Sequence, residues 1–433
     1  MTSPVGLPRV LTGFDAEGGT MTLRDHERVH GPLPTLAEGE LTEVVAASGL
    51  RGRGGADFPA ARKLRAVAGA RRASAVVVNG SETEPASRKD RTLLARAPHL
   101  VLDGAQLAAE EVRVGAVIVK LCENEGAVID AVQRAIGERA GGRVEFTMSV
   151  GPSGYVTGEE SAVMNHLNAG VSKPTLTPPR PFERGYGGRP TLIHNPETLA
   201  QMALVARHGE DWYRELGTRE DPGSALVTIS GAVTHAGVYE LAFGTPMADL
   251  VAAAGGASEP LQALLVGGYF GTWLPAAEAM ELRLAREDLQ SVGCSLGAGV
   301  VIALGSSSCG LHESARVIGY LADQSAGQCG PCVHGLAAVA DGFAALAEGV
   351  APGGSAEQLL RWCAEIRGRG ACHHPNGAVR FVESSLRAFG QTIDEHRRGR
   401  CAARPAGLPL AVAHTAGAEP TVGAGARRDR IWR

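Results

Sequence analysis

Apolar residues change period along the chain, and the changes divide it into segments. From Leu41 to about Gly217, β-branched runs alternate with stretches of helical period. Ala75–Val78, Ala116–Leu121 and Val144–Met148 read as strands, and Ala127–Arg139 has the spacing of an amphipathic helix. Thr157 with Glu160 reads as a capping box. Asn195 followed by Pro196 reads as an N-cap and first-turn pair opening a helix over Glu197–Arg207. This alternation predicts an α/β fold with a parallel, Rossmann-like sheet. Between about 222 and 300 the pattern changes. Ala225–Ser230 and Val238–Phe243 flank a turn at Thr234–Gly237, Pro246–Ala254 is helical, and Gln262–Val266 is a further strand. That order suggests a small ubiquitin-like grasp domain. Residues from about 311 to 390 have helical period, broken at Ala351–Ser355, and predict a short bundle. The expected division is an irregular segment 1–40, an α/β domain 41–220, a β-grasp domain 221–300, a helical domain 301–400 and a disordered tail 401–433.

Composition narrows the classes. A chain of 433 residues, 44% hydrophobic and with 58 glycines, has room for several cores rich in small-residue turns. Its net charge of −4, with scattered cations, gives no footprint for nucleic acid. No apolar run approaches the roughly 20 residues that span a bilayer, and no secretory leader is evident, so the cytoplasm is the expected compartment. The eight cysteines crowd the C-terminal half, which favours metal or cluster ligation over disulfides.

Two segments carry candidate chemistry. Arg51-Gly52-Arg53-Gly54-Gly55-Ala56-Asp57-Phe58-Pro59 is a glycine-rich turn feeding a helix. Tyr155-Val156-Thr157-Gly158-Glu159-Glu160 sets two carboxylates in the first turn of another. Backbone without Cβ atoms approaches a planar phosphorylated ligand closely, and helix N-termini favour anions. The spacing is neither that of the dinucleotide fingerprint nor that of the P-loop, so alone the first segment reads equally well as a tight turn. Asn79 and Glu82 follow a strand end, where parallel sheets place ligands.

Further segments follow in order: Val78-Asn79-Gly80-Ser81-Glu82-Thr83-Glu84-Pro85, Lys89-Asp90-Arg91, Pro98-His99, Gly188-Arg189-Pro190-Thr191, Asn195-Pro196-Glu197-Thr198, Gln328-Cys329-Gly330-Pro331-Cys332 and Cys372. With them the chain, from about Arg51 to about Phe389, resembles the flavin-carrying, NADH-oxidising 51 kDa subunit family of respiratory complex I. Related subunits occur in NAD-dependent formate dehydrogenases and hydrogenases. The resemblance implies FMN contacts at Gly52, Gly54, Lys63, Asn79, Glu82, Tyr155, Gly158, Glu159, Glu160, His194, Asn195 and Thr198. It implies NADH contacts at Phe58 and Glu84, with Arg180 where the family has an aromatic. Ser81, His194 and Ala66 also depart from the family pattern. It implies a soluble-ligand-binding (SLBB-type) β-grasp module and an iron–sulfur cluster on Cys329, Cys332 and Cys372. The first cluster position is Ala326, which has no donor atom. Three thiolates suit a [3Fe-4S] cluster, or a [4Fe-4S] cluster with another ligand from Asp323, Ser325, His334, His373 or Cys363. Zinc or a redox dithiol is the competing reading of the C-x-x-C pair. Cys122, Cys294, Cys309 and Cys401 read as core or surface thiols.

The function so implied is transfer of electrons from NADH through FMN to the cluster, and on to a ferredoxin-like protein or another electron-transfer subunit. The competing readings are a relay or assembly subunit that keeps the flavin fold without NADH turnover, and a zinc-stabilised binding protein.

Overall fold

The computed structural model describes residues 6–14, 18–70, 72–401, 407–410 and 431–432. Four parallel strands, β1 (Val76–Asn79), β2 (Ala116–Cys122), β3 (Glu145–Gly151) and β4 (Leu192–His194), form one sheet in the order β3-β2-β1-β4. Around it lie α1 (Leu23–His30), α2 (Glu40–Ser48), α3 (Ala60–Ala68), α4 (Lys89–Arg96), α5 (Pro98–Glu111), α6 (Gly126–Glu138), α7 (Glu160–Ala169) and α8 (Pro196–Arg214). β1 is buried on both faces. Val76 and Val78 join the core shared with α2, α5 and α8, while Val77 packs with Val163, Met164 and Ile193. That two-sided burial is why these strands read as continuous apolar runs. The chain leaves β1 toward β2 on one side and returns as β4 on the other. The strand ends at Asn79 and His194 therefore border a topological switch point, the place where such sheets bind ligands.

A second sheet has the order β10-β6-β5-β9-β7-β8. Its strands are β5 (Ser224–Gly231), β6 (Gly237–Ala242), β7 (Leu261–Val266), β8 (Thr272–Pro275), β9 (Val300–Gly305) and β10 (Ile431–Trp432). Alternation along the strands sorts their side chains to two faces. Leu264, Val266, Val301 and Ala303 face α9 (Met247–Ala253), α10 (Ala276–Glu281) and α11 (Arg286–Ser291). Ala263, Leu265, Val300, Ile302 and Leu304 face the helical bundle. That bundle is α12 (Gly310–Asp323), α13 (Ala337–Ala347), α14 (Ser355–Ile366), α15 (His374–Phe389) and α16 (Ile393–Arg397), with a π-helical turn over Pro331–Leu336.

Four local expectations need correction. The capping box at Thr157 does not form: its hydroxyl bonds Gly154 O, and Glu159 caps α7 instead, accepting the Ser161 and Ala162 N–H groups. The N-terminal segment is not merely irregular. Thr22 caps α1, and buried Glu240 accepts the N–H groups of Arg9, Val10 and Leu11. The helix after Asn195 continues past Arg207 to Arg214, bending at Gly209 (φ 85°). The expected disordered tail falls mostly on 402–406 and 411–430, outside the described residues, but Leu408 is buried and Ile431–Trp432 pairs with β6.

Among the described residues, no helix is long and apolar enough to cross a membrane.

Candidate cofactor site

The cleft is built where β1 and β4 end and α3, α7 and α8 begin. The glycine-rich loop is pinned from below. Gly52 N–H donates to Phe58 O at 2.8 Å, and Arg53 N–H donates to the Thr198 hydroxyl at 2.9 Å. The buried Arg53 guanidinium reaches Tyr213 Oη at 2.9 Å and Ser224 O at 3.1 Å. Gly54 is exposed, and a Cβ there would lie 3.3 Å from Asn195 Cβ. Across the cleft, Lys63 Nζ pairs with Glu160 and stands 3.5 Å from Ile193 O. Asn79 Nδ2 donates to Gly158 O at 2.8 Å.

Two atoms here lack a protein partner: Asn79 Oδ1 and His194 Nε2, both buried. Burial, with the Lys63 cation nearby, pushes the His194 pKa down to about 3, so its ring is neutral at physiological pH. A buried polar atom without a partner is costly, and a polar ligand in the cleft relieves that cost. Unpaired polar atoms and a lysine suit a phosphorylated, hydrogen-bonding group such as FMN.

Other expected contacts are turned inward. Glu82 accepts hydrogen bonds from Ser87 Oγ (2.5 Å) and from the Asp90 and Arg91 N–H groups (3.1 and 3.0 Å). Burial works against its charge, yet Arg91 and Ser87 hold its pKa below the ordinary value. Its visible role is to fix the β1–α4 loop. Asn195 caps α8 through Glu197 N–H and donates to Asp90 at 2.6 Å. Sequence reasoning missed the ionic group behind the loop. Lys89 is buried between Asp90 and Glu197, 2.8 Å from each, beside a cavity of about 550 Å³ that Gly52, Arg53 and Arg286 also line. The only signal was the Lys89-Asp90-Arg91 run, and its partner Glu197 lies far away in sequence.

Glu84, one of the two expected NADH contacts, is buried and accepts Tyr155 O–H at 2.9 Å and Tyr269 N–H at 2.8 Å. Gly268 (φ +80°) makes room for it: a Cβ there would come within 2.6 Å of the carboxylate. Burial pushes the Glu84 pKa up to about 7 from 4.5. A carboxyl held above its unfolded value loses stability as pH rises from that value through the folded one. In Glu84→Gln this part of the pH dependence vanishes. Relative to wild type, the variant gains about 2 kcal/mol between pH 5 and pH 8. Denaturant melts at the two pH values check this. Phe58 is half-buried under Arg62, whose guanidinium carbon lies 5.2 Å from the ring centre. Arg180 and Ala66 are exposed, and Arg180 N–H donates to Glu183 at 2.8 Å, so no hydrogen bond or ring contact joins Arg180 to Phe58 or Glu84.

The cysteine trio lies beyond Tyr155. Cys332 N–H donates to Cys329 O at 3.0 Å, and the Cys329 sulfur accepts from the N–H of Ala371, next to Cys372. Burial pushes Cys332 up to about 12, with Cys329 and Cys372 adding to the shift, and burial also raises Cys372. Of the substitute ligands, Ser325 hydrogen bonds the Cys332 sulfur. Cys363 is buried in α14, and Asp323, His334 and His373 are exposed. The three sulfurs are not gathered within the 4.8 Å that one ion requires, whereas a cluster holds its ligand sulfurs further apart. Tyr155 joins the two regions. Its hydroxyl is on Glu84, its N–H donates to Gln324 at 3.0 Å, and its ring meets His374 edge-on at 5.8 Å.

A phosphate-type cleft set against a thiol trio is the layout of a cofactor-carrying redox module, and comparison with known proteins agrees. Residues 45–204 match the Nuo51 FMN-binding domain, 226–268 an SLBB domain, and 304–396 the NADH-ubiquinone oxidoreductase-F iron-sulfur binding region. The second F-type subunit of the NADH-quinone oxidoreductase of Rhizobium meliloti (strain 1021) is 30% identical over 403 residues, covering 89% of this chain and 94% of that one. Its counterpart in Streptomyces coelicolor is 30% identical over 423 residues, covering 91% and 92%. A solved NAD+-reducing [NiFe]-hydrogenase, in the H2-reduced state, superposes with a TM-score of 0.76 at 31% identity, covering 82% of this chain and 62% of that one. The chain thus spans less than two thirds of the hydrogenase chain. It belongs to the family of F-type subunits of NADH-quinone oxidoreductase.

Proposed function

We propose that this chain is a flavoprotein oxidoreductase that passes electrons from NADH through FMN to an iron–sulfur centre and on to a ferredoxin-like or other electron-transfer subunit. The observation that carries the reading is Tyr155, which touches both Glu84, an expected NADH contact, and His374 beside Cys372. Bound FMN supplies conversion of two-electron to one-electron transfer. The residues of the chain supply placement. Lys63 offers its cation to the phosphorylated, electron-rich group, and Asn79 and His194 give their free atoms to it. Gly54 and Gly158 let their loops pack closely against Asn195 and against Ser81 and Thr83, while Glu82, Glu159, Asn195 and Thr198 fix the elements that carry the contacts. Cys329, Cys332 and Cys372 ligate the cluster, with Ser325 next to it where Ala326 offers nothing. We assign the cytoplasm, whose reducing poise suits eight unpaired thiols.

The test is anaerobic purification with optical spectra, FMN release and iron analysis. A yellow-brown protein with FMN and iron is expected, and a colourless zinc protein contradicts the reading.

One observation favours the relay or assembly reading: Ala66 and Arg180 are exposed where the family carries aromatics. Stacking on an aromatic is worth about 1–3 kcal/mol per base in nucleic-acid complexes. Arg180→Phe is therefore expected to tighten NADH binding about tenfold. An unchanged dissociation constant shows that stacking at this position is not what was lost.

A further inference from the structure

Cys309, His396 and Cys401 converge away from the proposed cluster, with one sulfur or nitrogen donor atom of each lying within 4.8 Å of the others. Cys309 and His396 are buried and Cys401 is half-buried. In the sequence both thiols read as core or surface cysteines.

The geometry points to a zinc site of two thiolates and one imidazole, with water as the fourth ligand. Several observations carry it. The carbonyl of Ala347 can only accept, so the His396 Nδ1 beside it bears the proton. Nε2 is then left as a lone pair, and it faces the Cys309 sulfur at 3.3 Å. A ligating histidine with its other ring nitrogen on a carbonyl is the usual outer-shell arrangement of metal sites. Zinc–sulfur and zinc–nitrogen bonds of about 2.3 and 2.0–2.1 Å in a tetrahedron separate S and N by roughly 3.6 Å, near the observed spacing. Cys309 caps α12, where the His312 N–H donates to its sulfur at 3.4 Å. These sulfurs gather tightly enough for one ion, unlike Cys329, Cys332 and Cys372.

The site ties the C-terminal segment to the start of α12. Beyond Cys401, the Gly407 and Leu408 N–H groups bond the buried Glu313 at 3.1 and 3.0 Å, and the Pro409 carbonyl accepts from Tyr269. Zinc at Cys401 would hold that segment over the bundle. No redox step is involved, and the inference stands apart from the flavin reading.

The test uses the full chain, purified anaerobically from zinc-replete cells and washed with a chelator. Zinc and iron are counted by mass spectrometry in wild type, Cys401→Ser, His396→Gln and Cys329→Ser. One zinc per chain is expected in wild type and in Cys329→Ser, with at least fivefold less in the other two and iron unchanged there. If Cys401→Ser or His396→Gln fails to fold, zinc-edge X-ray absorption of wild type decides. Two sulfurs and one imidazole nitrogen support the site, and three or more sulfurs overturn it. Zinc-free wild type overturns it as well, as does a Cys309–Cys401 disulfide seen as the loss of two hydrogens in the intact mass.

Discussion

Gly54→Val is expected to lose FMN by more than about tenfold in affinity, or ~1.4 kcal/mol, while the chain stays folded. The reason lies beneath the loop. A Cβ at Gly54 points at Asn195 Cβ, 3.3 Å away, rather than into the open cleft. The two branches of valine must lift the loop from the start of α8, where Arg53 N–H holds Thr198 and Asn195 caps the helix. That shift moves the backbone lining the cleft, with the cores far from the loop left intact. Circular dichroism and a thermal melt report folding, and fluorescence after denaturation reports flavin. A folded variant with a full flavin complement removes the glycine-rich loop from the site.

Cys372→Ala is expected to abolish the iron centre, and Ala326→Cys to strengthen it. Cys329 and Cys332 sit at the entry to the Pro331–Leu336 turn, and Ala371 N–H ties the Cys372 loop to them. Removing one of three thiolates leaves too few ligands for a cluster. Ala326 precedes Cys329 at the family's spacing and is buried, 8% exposed, so a cysteine there adds a fourth thiolate without displacing a surface group. Wild type should lose iron in air toward the three-iron form, and Ala326→Cys should keep it several-fold longer. Iron analysis and electron paramagnetic resonance of both proteins check this. An iron signal that survives Cys372→Ala unchanged contradicts the ligand set.

Much of the layout was legible because period follows burial. Two-sided burial gave β1 and β2 their apolar runs, and Asn195-Pro196 announced α8. The capping of α7 was misplaced by two residues, since a threonine capping box and a glutamate cap are both satisfied by Thr-Gly-Glu-Glu. The sequence marked candidate site residues, but not the contacts they make. Sequence places Glu82 beside Glu84, yet tertiary contacts alone decide that one binds the α4 N-terminus and the other stays buried with a pKa near 7. The Lys89–Glu197 pair and the Cys309–His396–Cys401 group join residues far apart along the chain, with no spacing that marks them.

The central claim is that this chain oxidises NADH at a bound flavin. Anaerobic titration of the purified holoprotein with NADH, followed at the flavin absorption band, tests it most directly. Bleaching of the band, followed by reduction of the iron centre, is the predicted result. A flavin that stays oxidised under millimolar NADH contradicts it and leaves the relay or assembly reading in its place.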